Sequence, residues 1–234
     1  MWGCDVSSDL LRQQIDYYGA RAGEYDEWFY RRGRYDRGDD ANWQWFYEAG
    51  LVREELRALG PVERVLELAC GTGIWTRELV RLGRHVTAVD ASREVLEINR
   101  AKVQSDRVGY VRADLFDWEP DQEYDLAYFS FWLSHVPPEL LDLFLGKVAR
   151  ATRRGGHVFM IDSRPDHTST ATDHAPPEQG DTTSVRKLND GRVFTIVKVF
   201  YEQEPLRERL ARAGLDARVS TTERYFIYAS GTRL

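Results

Sequence analysis

Cysteine is nearly absent from this chain of 234 residues; the only two, Cys4 and Cys70, stand in unrelated contexts. Two isolated thiols build no disulfide framework and lack metal-ligand spacing, so no metal site is expected. No apolar run approaches the ~20 residues that a membrane span needs, and no secretory leader is evident. With so few thiols, a reduced, cytoplasmic setting is expected. A basic excess is missing too: 32 Lys and Arg stand against 38 Asp and Glu, a net charge of −6. That balance argues against a nucleic-acid partner, because phosphate binding shows as clustered positive charge. Internal repeats and long low-complexity tracts are also lacking.

What is present suits one α/β domain with a small addition, or at most two modest ones. The hydrophobic fraction of 42% supplies a full core. Aromatic residues crowd the N-terminal part, where four of seven Trp and six of twelve Tyr precede residue 51. Residues 8–30 read as one amphipathic helix, with Leu11, Ile15, Tyr18, Ala22, Tyr25 and Phe29 at three- and four-residue spacing. A loop over 31–42 and a second helix over 43–59, stopped by Gly60-Pro61, complete this segment.

Alternation follows. Strands are expected at 64–69, 85–90, 108–112, 124–129 and 157–162, with helices at 74–82, 92–104 (Ser92 as N-cap) and 137–152, the last opening on proline. Helices of this length between strands imply a parallel sheet with right-handed crossovers. Residues 163–190, rich in Pro, Ser, Thr and Asp, read as a long loop, and such loops in compact domains are lids, binding elements or disorder. A strand at 192–201, a helix at 205–213 and two antiparallel strands within 215–230 close the chain.

The chemistry-bearing residues cluster at strand ends. In Glu67-Leu68-Ala69-Cys70-Gly71-Thr72-Gly73 a buried strand runs through glycines into a helix, a turn that brings backbone close to a ligand. By itself this fits any βα turn. Asp90 ends the second strand, where a carboxylate accepts from both hydroxyls of a ribose; capping the next helix is the alternative, a role Ser92 already fills. Asp114, just after the third strand, suits an adenine amino group. The fourth strand ends in Tyr128-Phe129-Ser130-Phe131-Trp132, with Ser134 and His135 following. All four ends meet on the sheet edge where open α/β folds bind ligands.

This set resembles the class I S-adenosylmethionine (SAM)-dependent methyltransferases over residues 62–162. Their acidic residue followed by x-Gly-x-Gly-x-Gly appears here with Ala69 in place of the first glycine. The resemblance implies a Rossmann-like three-layer sandwich, with a mostly parallel seven-stranded sheet, an antiparallel C-terminal strand and an N-terminal helical lid (1–60) over a cofactor domain (61–234). It implies SAM as cofactor and S-adenosylhomocysteine (SAH) as product. Glu67 and the turn Ala69, Gly71 and Gly73 would hold the methionine portion, with Ser130 on the same side. Asp90 would hold the ribose, Ala91 would flank the adenine, and Asp114 with Leu115 its edge. Tyr18 and Tyr25, in a recurring N-terminal signature of bacterial members, would contact the methionine end or simply pack the lid. A nicotinamide-binding oxidoreductase is the close alternative, but the third glycine of its fingerprint would fall at Thr76. A SAM-binding regulatory protein without turnover is the other.

Methyl transfer is an in-line displacement, so the protein aligns the acceptor and, for a hydroxyl or ammonium, removes a proton. His135 is the candidate base, with a structural role in the loop before Pro137-Pro138 as the alternative. The Asn/Asp-Pro-Pro-aromatic segment of nucleic-acid amino-methyltransferases is replaced by Ser130-Phe131-Trp132-Leu133. A small-molecule acceptor, aromatic or apolar, is therefore expected near Trp43 and Trp132, under a loop carrying Arg164 and His167. Arg31-Arg32-Gly33-Arg34 would meet an anionic substrate or stand as a solvated cluster. A monomer and a homodimer are equally compatible.

Overall fold

The computed structural model describes residues 5–174 and 180–234, with side chains described from residue 9 onward. Residues 1–4 of the expected lid and 175–179 of the expected loop lie outside the described residues.

The segment before the sheet forms helices α1 (Asp5–Arg21), α2 (Tyr25–Phe29) and α3 (Asp39–Arg57). The continuous helix expected over 8–30 is thus two. It breaks at Ala22–Glu24, where Glu24 N–H turns back to the Arg21 carbonyl at 2.9 Å, and Gly23 disfavours continuation. The alternation then runs β1 (Val62–Leu68), α4 (Thr76–Leu82), β2 (Gly83–Asp90), α5 (Arg93–Val103), β3 (Val108–Arg112), β4 (Tyr124–Ser130), α6 (Leu141–Ala151) and β5 (Thr152–Ser163). Ser92 caps α5, its hydroxyl accepting from Val95 N–H at 3.2 Å. Helix α6 starts four residues later than expected. Pro138 keeps Pro137 out of the helical region, and the prolines sit instead in a turn closed by Leu140 N–H on the Pro137 carbonyl at 2.9 Å.

Two further corrections concern the C-terminal part. The expected loop over 163–190 contains a strand, β6 (Thr183–Lys187), and the following strand is β7 (Val193–Val197); the two pair antiparallel as a separate hairpin. Short alternation such as Thr-Ser-Val-Arg-Lys is too weak a signal to separate from loop composition. Helix α7 (Gln203–Arg212), β8 (Leu215–Thr221) and β9 (Phe226–Arg233) complete the chain.

One seven-stranded sheet has the order β3-β2-β1-β4-β5-β9-β8. Only β9 runs against its neighbours, pairing antiparallel with both β5 and β8. Its side chains alternate between two cores. On β4, Ala127 and Phe129 face α6 and α7 through Phe144, Val148 and Leu206. Leu126 and Tyr128 face α2, α3 and α4 through Phe29, Trp45 and Leu79. Residues 25–57 therefore belong to the main core, since Phe29, Trp45, Val52 and Leu56 are all buried. Helix α1 instead packs on β7, where Tyr17 lies 5.6 Å from Phe194.

Strand β1 pairs with β2 on one side and β4 on the other, Leu68 facing Val89 and Phe129. Chain direction through the sheet reverses order there, which opens a crevice beyond the carboxyl ends of the strands.

Candidate active site

The crevice begins at the turn after β1. Ala69, Gly71 and Gly73 all adopt positive φ (52°, 56° and 89°), a conformation glycine takes without strain and alanine does not. The turn is held from below by Asn99 on α5, a residue not singled out from sequence. Its buried amide donates to the Gly71 carbonyl at 3.0 Å and to Thr76 Oγ1 at 2.9 Å, and its oxygen accepts from Tyr110 at 2.9 Å. A Cβ at Gly73 would lie 2.8 Å from Asn99 Oδ1. Gly73 thus permits α5 to approach, and does not itself line the crevice. Thr76, buried and bonded to Asn99, occupies the place of a dinucleotide glycine.

Two carboxylates face the crevice. Asp90 Oδ2 accepts from Gly71 N–H and Oδ1 from Ser92 N–H, both at 3.0 Å; burial raises its pKa against those donors. Asp114 accepts from Phe116 N–H through Oδ1 at 2.9 Å, which leaves Oδ2 for an exocyclic amine. With Ala69, Gly71, Ala91, Leu115, Ser130 and Trp132 they line one narrow cleft. The indole N–H of Trp132 is buried in it without a partner among the described residues. Leu11, Gln14, Ile15 and Tyr18 of α1 close the cleft to about 70 Å³.

A second cavity of about 690 Å³ adjoins it, and Tyr18, Tyr25 and Phe131 line both. Phe131 is held at φ 51°, a strained setting for an aromatic residue. Its amide donates to the Ile161 carbonyl at 2.7 Å, and its ring meets Trp28 at 4.7 Å. The larger cavity is walled by the hairpin β6–β7, by α1 and by the 163–174 segment. His135 reaches it from the turn after β4. Its Nδ1 lies 2.7 Å from the Val197 carbonyl and its Nε2 2.8 Å from Tyr18 Oη. A carbonyl only accepts, so Nδ1 carries the hydrogen and Nε2 offers a lone pair to the phenol. Burial, with Lys198 beside it, holds the imidazole pKa well below its ordinary range. The ring is neutral at physiological pH. Gln14 braces this arrangement, donating to the His135 carbonyl at 2.9 Å and accepting from Val197 N–H at 3.0 Å.

Several expected site residues sit elsewhere. Glu67 is buried beneath the turn beside Thr76 and lines neither cavity; burial, opposed by the Thr76 hydroxyl and reinforced by Asp90, pushes its pKa up to about 8. Trp43 is 63% exposed and stacks on Tyr47 at 5.1 Å, on the outer side of α3. Trp132 lines the narrow cleft and not the larger cavity. Arg164 spends its guanidinium on the Thr222 and Glu223 carbonyls, both at 2.8 Å. His167 lies at the mouth of the larger cavity. Within the 31–34 cluster, Arg34 pairs with Glu24 and Asp173, and Arg31 with the Thr168 carbonyl. Arg21, Arg186 and Lys198, which line the larger cavity, were missed because their charges meet only in the folded chain. Among the described residues no group of three His, Cys, Asp or Glu is placed to hold a metal, and no helix is long and apolar enough to cross a membrane.

Known proteins carry the same frame. Residues 65–156 match the family model described as a methyltransferase domain. The chain is 38% identical over 112 residues to the demethylmenaquinone methyltransferase of Clavibacter sepedonicus (45% of this chain, 44% of the relative). It is 35% identical over 104 residues to the cypemycin N-terminal methyltransferase of a Streptomyces species (43% and 42%). The chain thus spans less than half the length of these curated relatives. The solved structure of DhpI with SAH matches over nearly the whole chain: 36% identity, TM-score 0.77, 96% of this chain and 97% of the other. DhpI with SAM and HEP matches at 35% identity and TM-score 0.79 over 95% and 97%. A seven-stranded sheet with one antiparallel strand, a glycine turn flanked by two acids, and this match along the full length lead to one conclusion: the chain belongs to the class I SAM-dependent methyltransferases.

Proposed function

We propose that this protein transfers a methyl group from SAM to a small-molecule acceptor held in the larger cavity. The observation that carries the reading is the shared wall of Tyr18, Tyr25 and Phe131, which puts a large cavity directly against the cofactor cleft. The cleft's polar groups fit the cofactor. Asp90 would accept from the ribose hydroxyls, Ala91 and Leu115 would flank the adenine, Asp114 would take its amine, and Ala69, Gly71 and Ser130 would receive the methionine portion. Bound SAM supplies an electrophilic methyl on a sulfonium, and in-line displacement needs only alignment and a dry site.

The lid in this reading is α1 rather than the whole of residues 1–60, since α2 and α3 are part of the main core. Lying over the cleft, α1 would cover the bound cofactor and help exclude water. For an acceptor that ionises late, Tyr18 would take the proton as the new bond forms and pass its own to His135 Nε2. We place the protein in the bacterial cytoplasm, as a monomer or homodimer; supporting this are the reduced-compartment composition and the bacterial relatives.

Calorimetry with SAH, followed by a panel of small-molecule acceptors with SAM, tests the reading. Saturable SAH binding and methylation of at least one acceptor are expected. A wild-type chain that binds neither SAM nor SAH would overturn it.

A further inference from the structure

The larger cavity is lined by cations that form no ion pair, or only a long one, among the described residues. Arg21, at the end of α1, is 8% exposed. It makes no ion pair among the described residues; its one described hydrogen bond is a long one to Tyr35 Oη at 3.3 Å, and its Nε has no partner. Its guanidinium lies instead against the rings of Tyr25 and Tyr17, at 4.9 and 5.6 Å. Arg186 on β6 lines the same cavity. It bonds to Ser184 Oγ at 2.6 Å and more distantly to the Val185 carbonyl, again with no ion pair among the described residues. Burial lowers its pKa, and Arg21 adds to the effect. Lys198 is the third cation, 3.8 Å from Asp162 and bonded to Ser134 Oγ at 2.9 Å.

Among the described acids near the cavity, Asp166 is engaged by Arg224 at 2.7 Å, and Asp162 is shared between Lys198 and two backbone amides; Asp181 and Glu202 are exposed. Of the other partly buried arginines, Arg34 pairs with Glu24 and Arg53 with Glu78, while buried Arg31 is held by the Thr168 carbonyl. Two guanidinium groups lining one cavity repel each other, and their partial desolvation adds to the cost. Tyr17, fully buried, lines the same cavity, and its Oη has no partner among the described residues. Guanidinium forks and a phenol match the planar or tetrahedral oxygens of an oxyanion.

Resting on the methyl-transfer reading, we propose that the acceptor carries an oxyanion, of carboxylate or phosphate type, held by Arg21 and Arg186 with Tyr17 as a further donor. The aromatic wall of Trp28, Tyr35 and Phe131 takes the rest of the molecule. These residues bind and orient the acceptor.

The test uses the full chain saturated with SAH, titrated by calorimetry with inorganic phosphate and, separately, with acetate. Saturable binding of at least one is expected, and the tighter of the two tells phosphate-type from carboxylate recognition. Arg21→Gln and Arg186→Gln should each weaken it by roughly tenfold, with SAH affinity within about twofold of wild type. Should Arg21→Gln fail to fold, Arg21→Lys and the more accessible Arg186→Gln carry the comparison. Normal SAH binding with no binding of either anion, or with variants that bind as wild type does, overturns the proposal. Loss of SAH binding in the wild-type chain overturns the methyl-transfer reading itself, and this one with it.

Discussion

Tyr18 Oη donates to His135 Nε2 across 2.8 Å, joining the helix that covers the narrow cleft to the turn after β4. The direction of that bond follows from the other ring nitrogen, which can only donate to the Val197 carbonyl. The phenol therefore sits on the boundary of both cavities with a neutral base behind it.

Replacing Tyr18 with Phe should lower kcat by roughly 100-fold for an acceptor that loses a proton, with little change in SAH affinity. His135→Ala should act similarly. Because burial and Lys198 hold the His135 pKa below its ordinary 6.5, the neutral, proton-accepting form persists as pH falls through 6.5. The acid limb of the rate profile should accordingly lie below pH 6.5. Near-normal turnover in His135→Ala would make that residue structural.

Asp90→Ala removes the carboxylate that holds Gly71 and Ser92 and faces the cleft. SAH affinity should fall on the order of 100-fold, the value of two charge-assisted hydrogen bonds. Isothermal titration measures this directly; unchanged affinity would remove Asp90 from the cofactor site.

Gly73→Ala combines a positive φ of 89° with a methyl 2.8 Å from Asn99 Oδ1. Unfolding free energy should drop by roughly 2–4 kcal/mol, read by denaturant titration. Because Asn99 holds the Gly71 carbonyl, SAH binding should weaken as well.

Glu67 gives a pH signature. Its folded pKa of about 8, against an ordinary 4.5, means that folding takes up a proton. The stability this contributes is complete below about pH 4.5 and is lost progressively as pH rises toward 8 and beyond. Glu67→Gln removes the titration, so the melting temperature of the variant relative to wild type should rise between pH 6 and 9. A difference that stays constant over that range would contradict the assignment.

The alternating frame, the glycine turn and the strand-end positions of Asp90 and Asp114 were legible from the residues alone, because each depends on local chemistry: periodic burial, a βα turn, a position at a strand end. The sequence also showed His135 and Tyr18 as candidates, though not that they touch. Local pattern misplaced Trp43 and Arg164, since a helix or loop position does not say which way a side chain finally turns. It missed the hairpin β6–β7 and with it the meeting of Arg21 and Arg186, separated by most of the chain. These charges, with Tyr17, come to line one cavity only on folding. Long-range packing of α1 on β7 creates that juxtaposition, because residues distant in sequence meet only when the hairpin and the helix dock.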